Sequence, residues 1–261
     1  MGRTVGVFGL AVFGLAAAGL VSGGLAAGAA AADSGVYLRA DLSYDWSRST
    51  AYTDWTCDSR EPARVPLYGC DARAAGDFGG SAGLSAGVGY RFTPLLRADA
   101  TLAYRPGWRF SGEANFPISG GQPVYGDATT LTGMVSGYLD LAPLVPGGLG
   151  RFQPYVGAGI GLSYNRSEMV EMAFPALDQR VDTPSGWHTS LAWHLTAGTG
   201  IALTEALTLD VAYRYTDLGR VMTEAGDAPR WRAGRLRVLS IDGTEARLRA
   251  HGVQVGLRYA F

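Results

Sequence analysis

The chain closes with Gly252-Val253-Gln254-Val255-Gly256-Leu257-Arg258-Tyr259-Ala260-Phe261, in which every second residue is apolar and each residue between is glycine, small or polar. A period of two is that of a β-strand, because successive side chains point to opposite faces of the pleat. Val253, Val255, Leu257, Tyr259 and Phe261 therefore share one face, and Gln254 and Arg258 lie on the other. The same alternation recurs seven times upstream, with apolar positions over 36–46, 82–92, 98–104, 131–141, 156–164, 191–203 and 207–215. Helical spacing is scarcely visible anywhere. Eight strands with two chemically different faces predict an all-β protein.

The connections alternate in length. Long gaps fall near 47–80, 106–127, 165–188 and 217–248, and short ones near 93–95, 142–151 and 204–206. In an antiparallel meander the long connections collect at one end and the short ones at the other, as in an up-and-down transmembrane barrel with extended external loops. An 11-residue strand at about 3.3 Å per residue, tilted about 40°, rises roughly 28 Å, close to the ~25 Å apolar band of such barrels.

Composition supports an envelope protein. All 22 basic residues are Arg, set against 23 acids, for a net charge of −1. That balance argues against a nucleic-acid binder, which would carry a cationic excess. Beyond residue 32 no stretch approaches the ~20 apolar residues of a membrane helix. Residues 4–32 hold no charge, follow Arg3 and end in Ala30-Ala31-Ala32, the layout of a secretory signal peptide cut before Asp33. The expected organisation is a signal peptide at 1–32 and a barrel at 33–261, exported across the inner membrane to the outer membrane.

Parity alone leaves open which face meets lipid, and a lipocalin-like barrel would turn its apolar face inward. Two features favour apolar-out. The polar face is mostly Gly, Ala, Ser and Thr, with six Arg (Arg39, Arg91, Arg97, Arg105, Arg214, Arg258) and five Asp (Asp41, Asp45, Asp99, Asp140, Asp210), a composition suited to a narrow lumen. Strand direction then sorts the apolar-face aromatics into two belts. Tyr44, Trp46, Tyr104, Tyr164, Tyr213 and Tyr215 fall at the outer end, and Tyr90, Phe92, Phe152, Tyr259 and Phe261 at the inner end, as expected at two headgroup boundaries.

Three stretches carry a family resemblance: Pro154-Tyr155-Val156-Gly157-Ala158-Gly159-Ile160-Gly161, Leu209-Asp210-Val211-Ala212-Tyr213-Arg214-Tyr215, and the terminal Gly256-Leu257-Arg258-Tyr259-Ala260-Phe261. Over residues 33–261 the chain resembles the small outer-membrane β-barrels of Gram-negative bacteria, the outer membrane protein A-like and opacity-protein-like group. The resemblance implies an eight-stranded antiparallel up-and-down barrel. It also implies that the barrel-assembly machinery reads the terminal aromatics Tyr259 and Phe261. It is vague for activity. Unlike the larger members, the chain is expected to lack a periplasmic peptidoglycan-binding domain.

The candidate sites follow. The lumen Arg and Asp should pair into a network that plugs the barrel, the alternative being a narrow ion path, since an eight-stranded interior is just filled by side chains. Cys57 and Cys70 should form a disulfide in an oxidising compartment, stiffening the first long loop. Metal binding is a poor competitor, with no His or second Cys pair nearby, and no cofactor is expected. The glycines at 157–161 lack the following helix of a dinucleotide loop and read as lumen positions leaving room for opposing Arg or Tyr. His188 and Ser190 invite comparison with lipid A-modifying barrels, but both fall on the lumen face, and the nearest downstream acid, Glu205, lies at a periplasmic turn. Arg230, Trp231, Arg232, Arg235 and Arg237 cluster in the last long gap, where they could contact lipopolysaccharide or another anionic polymer or form a solvated loop. The expected function is a structural outer-membrane protein whose external loops serve surface interaction or adhesion. A narrow passive channel is the alternative and an enzyme a distant third.

Overall fold

The computed structural model describes residues 35–57, 64–116, 121–147 and 149–261; the expected signal peptide and its cleavage point lie outside them. Thirteen strands are present among the described residues: β1 (Gly35–Ser47), β2 (Thr50–Asp54), β3 (Ala74–Asp77), β4 (Gly80–Arg91), β5 (Leu96–Ala114), β6 (Gln122–Asp140), β7 (Phe152–Phe174), β8 (Gln179–Asp182), β9 (Gly186–Ala202), β10 (Leu207–Met222), β11 (Gly226–Arg232), β12 (Arg235–Ile241) and β13 (Thr244–Ala260). Eight of them close a ring in the order β1-β4-β5-β6-β7-β9-β10-β13, every contact antiparallel. β13 returns to β1 in continuous register from Tyr37↔Ala260 to Ser47↔Ala250. This is an eight-stranded antiparallel up-and-down barrel.

The apolar face points outward. Leu42, Leu84, Val135 and Leu191 sit mid-strand yet are 65, 60, 62 and 64% exposed, an arrangement that only a hydrocarbon surround makes favourable. Tyr44, Trp46, Tyr104, Tyr164 and Tyr213 project outward at one end of this band, and Tyr90, Phe92, Phe152, Tyr259 and Phe261 at the other. Along β13 the step from His251 to Phe261 spans roughly 33 Å of strand, or about 25 Å of height at a 40° tilt, the thickness of the apolar band.

The long gaps differ from the sequence expectation: much of their length is strand. β5, β6, β7 and β10 run well past the outer aromatic belt, β2 and β3 continue the wall above β1 and β4, and β8, β11 and β12 extend it beside β7. In this outer part the two faces exchange chemistry. Tyr52, Phe78, Trp108, Phe110, Met172, Leu218, Ile241 and Leu248 fill the interior, whereas Arg109, Arg166 and Arg220 face outward and are exposed.

Three β-bulges make the exchange on their strands, since one extra residue swaps the side-chain parity beyond it. On β5 the register shifts between Arg105 and Trp108, so the odd-numbered lumen row ending in Arg105 is followed by an even row of Trp108 and Phe110. Pro106 fits there because a bulge asks for no ladder donor, and the Gly107 amide donates to Ser81 Oγ at 3.1 Å. On β7 the shift lies opposite Gly126 and Ala128 of β6, after which Val170 and Met172 point inward. On β10 it lies at Leu218, followed by Gly219 at φ +78°, where a side chain would also strike Ser190. β13 needs no bulge. Its inner row changes from Arg258, Gly256, Gln254 and Gly252 to Ala250, Leu248 and Ala246, while its outer row changes from Val253 through His251 to Arg249 and Arg247.

Two substitutions test this boundary. Val255→Arg should lower stability by about 2–4 kcal/mol in urea unfolding from lipid bilayers, the cost of a midplane cation on the lipid face. Replacing the outward, exposed Arg109 by Gln should change it by less than about 1 kcal/mol.

Candidate functional site

Two regions concentrate charged side chains: the lower lumen and the extracellular face. In the lumen, Arg39 donates from Nε and Nη2 to both oxygens of Asp41, at 3.0 and 2.8 Å, and from Nη1 to Asp99 at 2.7 Å and the Tyr138 hydroxyl at 3.0 Å. The Tyr138 and Tyr37 hydroxyls also donate to Asp99. Arg97 donates to Asp140 at 3.0 Å and lies between two rings, 4.1 Å from the centroid of Tyr138 and 4.5 Å from that of Tyr155. Arg105 pairs with Asp45 at 2.8 Å and Arg258 with Asp210 at 3.3 Å. Arg91 reaches Asp140 at 3.6 Å from the periplasmic mouth, where its side chain is 31% exposed.

All five lumen Asp thus hold an Arg. Arg214 departs from the expected pattern, having no ion pair among the described residues. Its partners across the ladder, Gly252 and Thr196, bring no carboxylate. Glycine makes the crowding possible: a side chain at Gly89 would enter the Tyr37 ring, and one at Gly157 would meet Tyr138.

Above the ion pairs the lumen is filled by the apolar cluster, with Tyr52 and Phe110 edge to face at 4.8 Å and Phe78 and Phe110 at 5.2 Å. Sequence reasoning missed this layer. The signal was the change of parity at Arg105, which reads as the end of a strand when it marks a bulge.

On the extracellular face, Cys57 and Cys70 form a disulfide. Beside it Asp54 accepts backbone N–H bonds from Leu67, Tyr68 and Gly69 at 3.1, 2.8 and 2.7 Å. Burial, with a smaller push from Asp242, raises its carboxyl above the ordinary carboxylate range despite these donors.

The β11–β12 hairpin sorts the predicted cationic cluster into two faces. Arg230 lies opposite Arg237 and Arg232 opposite Arg235, in line with the inward Ala228 and Leu239 pair; Trp231 lies opposite Leu236 on the outer face, next to Val238. Trp231, Leu236 and Val238 are all exposed. Like charges directly opposite each other destabilise a ladder, yet none of the ion pairs among the described residues involves these four Arg. Arg232 pairs with Gln179, which pairs with Phe174, ten residues along β7 from the girdle residue Tyr164. The tip therefore stands roughly 20–25 Å above the outer belt. That height puts these Arg at the outermost part of the described wall, well above the outer aromatic belt.

His188 and Ser190 lie on the lumen side of β9, and the Ser190 hydroxyl accepts the Arg220 amide at 3.0 Å at the β10 bulge. Glu205 is at the opposite, periplasmic end, between β9 and β10. The structure does not bring the three together.

The outer membrane protein beta-barrel domain family matches residues 13–261. The chain belongs to this family. As a member it is an outer-membrane β-barrel protein, with the greasy face in lipid. An uncharacterized protein of Brucella melitensis is 31% identical over 260 residues, covering 87% of this chain and 85% of the relative. A Rickettsia massiliae protein named "Putative adhesin" is 24% identical over 177 residues, covering 66% of this chain and 71% of that one. Among solved structures, outer membrane protein OprG of Pseudomonas aeruginosa aligns with a TM-score of 0.48 at 15% identity, over 87% of this chain and 96% of its own. Neisserial surface protein A aligns at 0.42 and 17% identity, over 87% and 97%.

Two outcomes test these sites. Asp45→Ala should cost about 3 kcal/mol, because Arg105 is left buried and unpaired, and the double change Asp45→Leu with Arg105→Met should recover most of it; urea unfolding in lipid reads both. For Asp54 the raised folded pKa means the folded loop holds its proton more tightly than the unfolded chain, so loop stability rises as pH falls through that value and levels off below about 4. Hydrogen exchange at Tyr68 and Gly69, corrected for intrinsic rate, should show more protection at about pH 4 than at about pH 7, and Asp54→Asn should abolish the difference.

Proposed function

We propose that this protein acts through its extracellular face, as a closed barrel serving surface interaction or adhesion, and does not conduct. The observation that carries this reading is the double occlusion of the lumen. Ion pairs stacked with Tyr138 and Tyr155 fill the lower half, and a buried, mainly apolar cluster fills the outer half. An ion crossing the second layer would give up hydration against side chains that pack ring to ring, with no open path between them. The extracellular wall, by contrast, is built out into paired strands, pinned by a disulfide and by Asp54, and topped by a hairpin with four unneutralised Arg on one face and Trp231, Leu236 and Val238 on the other. The name of the Rickettsia massiliae relative agrees with a role in adhesion.

In this proposal the hairpin Arg meet an anionic polymer at the cell surface, either the outer sugars and phosphates of lipopolysaccharide or an acidic polymer of another cell. Guanidinium forks bind carboxylate, sulfate and phosphate bidentately. The outward Tyr259 and Phe261, edge to face at 5.2 Å, are assigned to recognition by the barrel-assembly machinery, and residues 1–32 to a cleaved signal peptide.

The refolded protein, checked by heat-modifiable migration, should give no stable conductance steps in planar bilayers; reproducible steps whose ion selectivity changes in Asp140→Asn would overturn the closed reading. Cells displaying the protein should adhere to sulfated or carboxylated polymer surfaces. Arg232→Gln combined with Arg235→Gln should reduce that adhesion several-fold without loss of surface display.

A further inference from the structure

The outer rim of the lipid-facing wall carries a feature that neither occlusion nor adhesion uses. Where β1, β13 and β10 meet, Trp46 stacks with His251 at 6.3 Å, and Tyr215 packs edge-on against His251 at 5.1 Å; the Tyr213 hydroxyl bonds His251 Nδ1. These rings form a continuous ledge at the top of the apolar band. The next outward residue on β13 is Arg249, with Arg247 beyond it, and just past the end of β1 the exposed Arg48 donates its amide to the Arg249 carbonyl at 2.7 Å. Successive outward residues are about 6.6 Å apart along a strand. The first guanidinium tier therefore stands roughly 5 Å above the ledge and the second roughly 10 Å above it.

This tier is short of counter-charge. Arg247 and Arg249 share one carboxylate, that of Asp217, at 2.7 and 3.2 Å. Asp217 is buried beneath them, while their own side chains are 54 and 42% exposed. Arg249 bonds it through Nε, leaving its terminal fork free among the described residues. Arg48 is exposed and has no ion pair among them. Flanking both, Arg220 reaches Glu245 at 3.2 Å.

We propose that this ledge binds the phosphorylated headgroup of an outer-leaflet glycolipid, of the lipid A class, with Arg48 and Arg249 as its phosphate forks. The aromatic rings pack against the upper acyl chains and sugar ring, and the guanidiniums meet the phosphates one pleat higher. A membrane-boundary lipid fits better than a soluble anion because the cationic tier rises directly from a surface that must itself be in lipid. Its position also separates it from the hairpin Arg, which stand higher and face away from the membrane. The site does not depend on whether the lumen conducts or the loops adhere.

The test is native mass spectrometry of refolded protein in neutral detergent, titrated with diphosphoryl lipid A, dephosphorylated lipid A or phosphatidylglycerol. The expected result is retention of diphosphoryl lipid A at least tenfold tighter than of either comparison lipid, falling about tenfold in the double variant Arg48→Gln, Arg249→Gln. The variant Arg109→Gln, at an exposed outward Arg of β5 away from the ledge, should retain it unchanged. Equal retention of the three lipids, or undiminished retention by the ledge variant, would overturn the proposal. Should the double variant fail to migrate as folded, Arg48→Gln alone decides: it removes no ion pair, a threefold or greater loss supports the site, and no loss overturns it.

Discussion

Hydrocarbon offers no partner to a backbone N–H or C=O, so a sheet inside it must leave no edge. The pairing of β1 with β13 meets that demand, and most other features follow from it. Once the ring is closed, each strand has one face in lipid and one in a lumen too narrow for much beyond side chains. The outward row must then be greasy, and the inward row must be either small or mutually neutralising. Gly89 facing Tyr37 and Asp99 gripped by Arg39 are the two solutions side by side.

Above the membrane the requirement inverts, because water now lies outside and the interior can be dry. The chain answers in two ways. β5, β7 and β10 insert a residue and let parity carry apolar side chains inward. β13 keeps its parity and changes its composition, so that Val253 and Leu257 outside give way to Arg247 and Arg249, and Arg258 inside gives way to Leu248. The result is a membrane barrel continued by a water-soluble β-barrel core, with the changeover at the outer aromatic belt.

Those two routes explain what was legible. Each membrane-spanning run alternates long enough to name its face, and the aromatics at its ends fix direction, so the eight strands, the belts and the disulfide could be read from residue order. The outer extension could not. Trp108 and Phe110 follow a bulge and fall out of step with Arg105, so the segment after 105 reads as loop. The hairpin at Ala233 and Gly234 was readable in principle: two residues with positive φ between Arg-Trp-Arg and Arg-Leu-Arg form the two-residue turn of a β-hairpin. Which carboxylate each lumen Arg would take, and that Arg214 would take none, depends on ring stagger, which residue order alone does not encode.

The chain contains no Lys, and its Arg can be followed up the barrel as the surroundings change. In the lumen five of the six Arg hold the five Asp, Arg214 alone pairing with none among the described residues, and rings of Tyr138 and Tyr155 cover what remains of the Arg97 guanidinium. At the membrane rim four Arg meet two carboxylates, and their forks are half free. At the hairpin tip four Arg face one another across the ladder with no ion pair among the described residues. A buried cation left unpaired costs several kcal/mol, whereas an exposed one costs little, so the supply of carboxylates need only match the depth of burial. Excess charge is tolerated where water or an external anion can solvate it. The gradient in neutralisation therefore separates Arg that hold the barrel together from Arg that are available to something outside the chain.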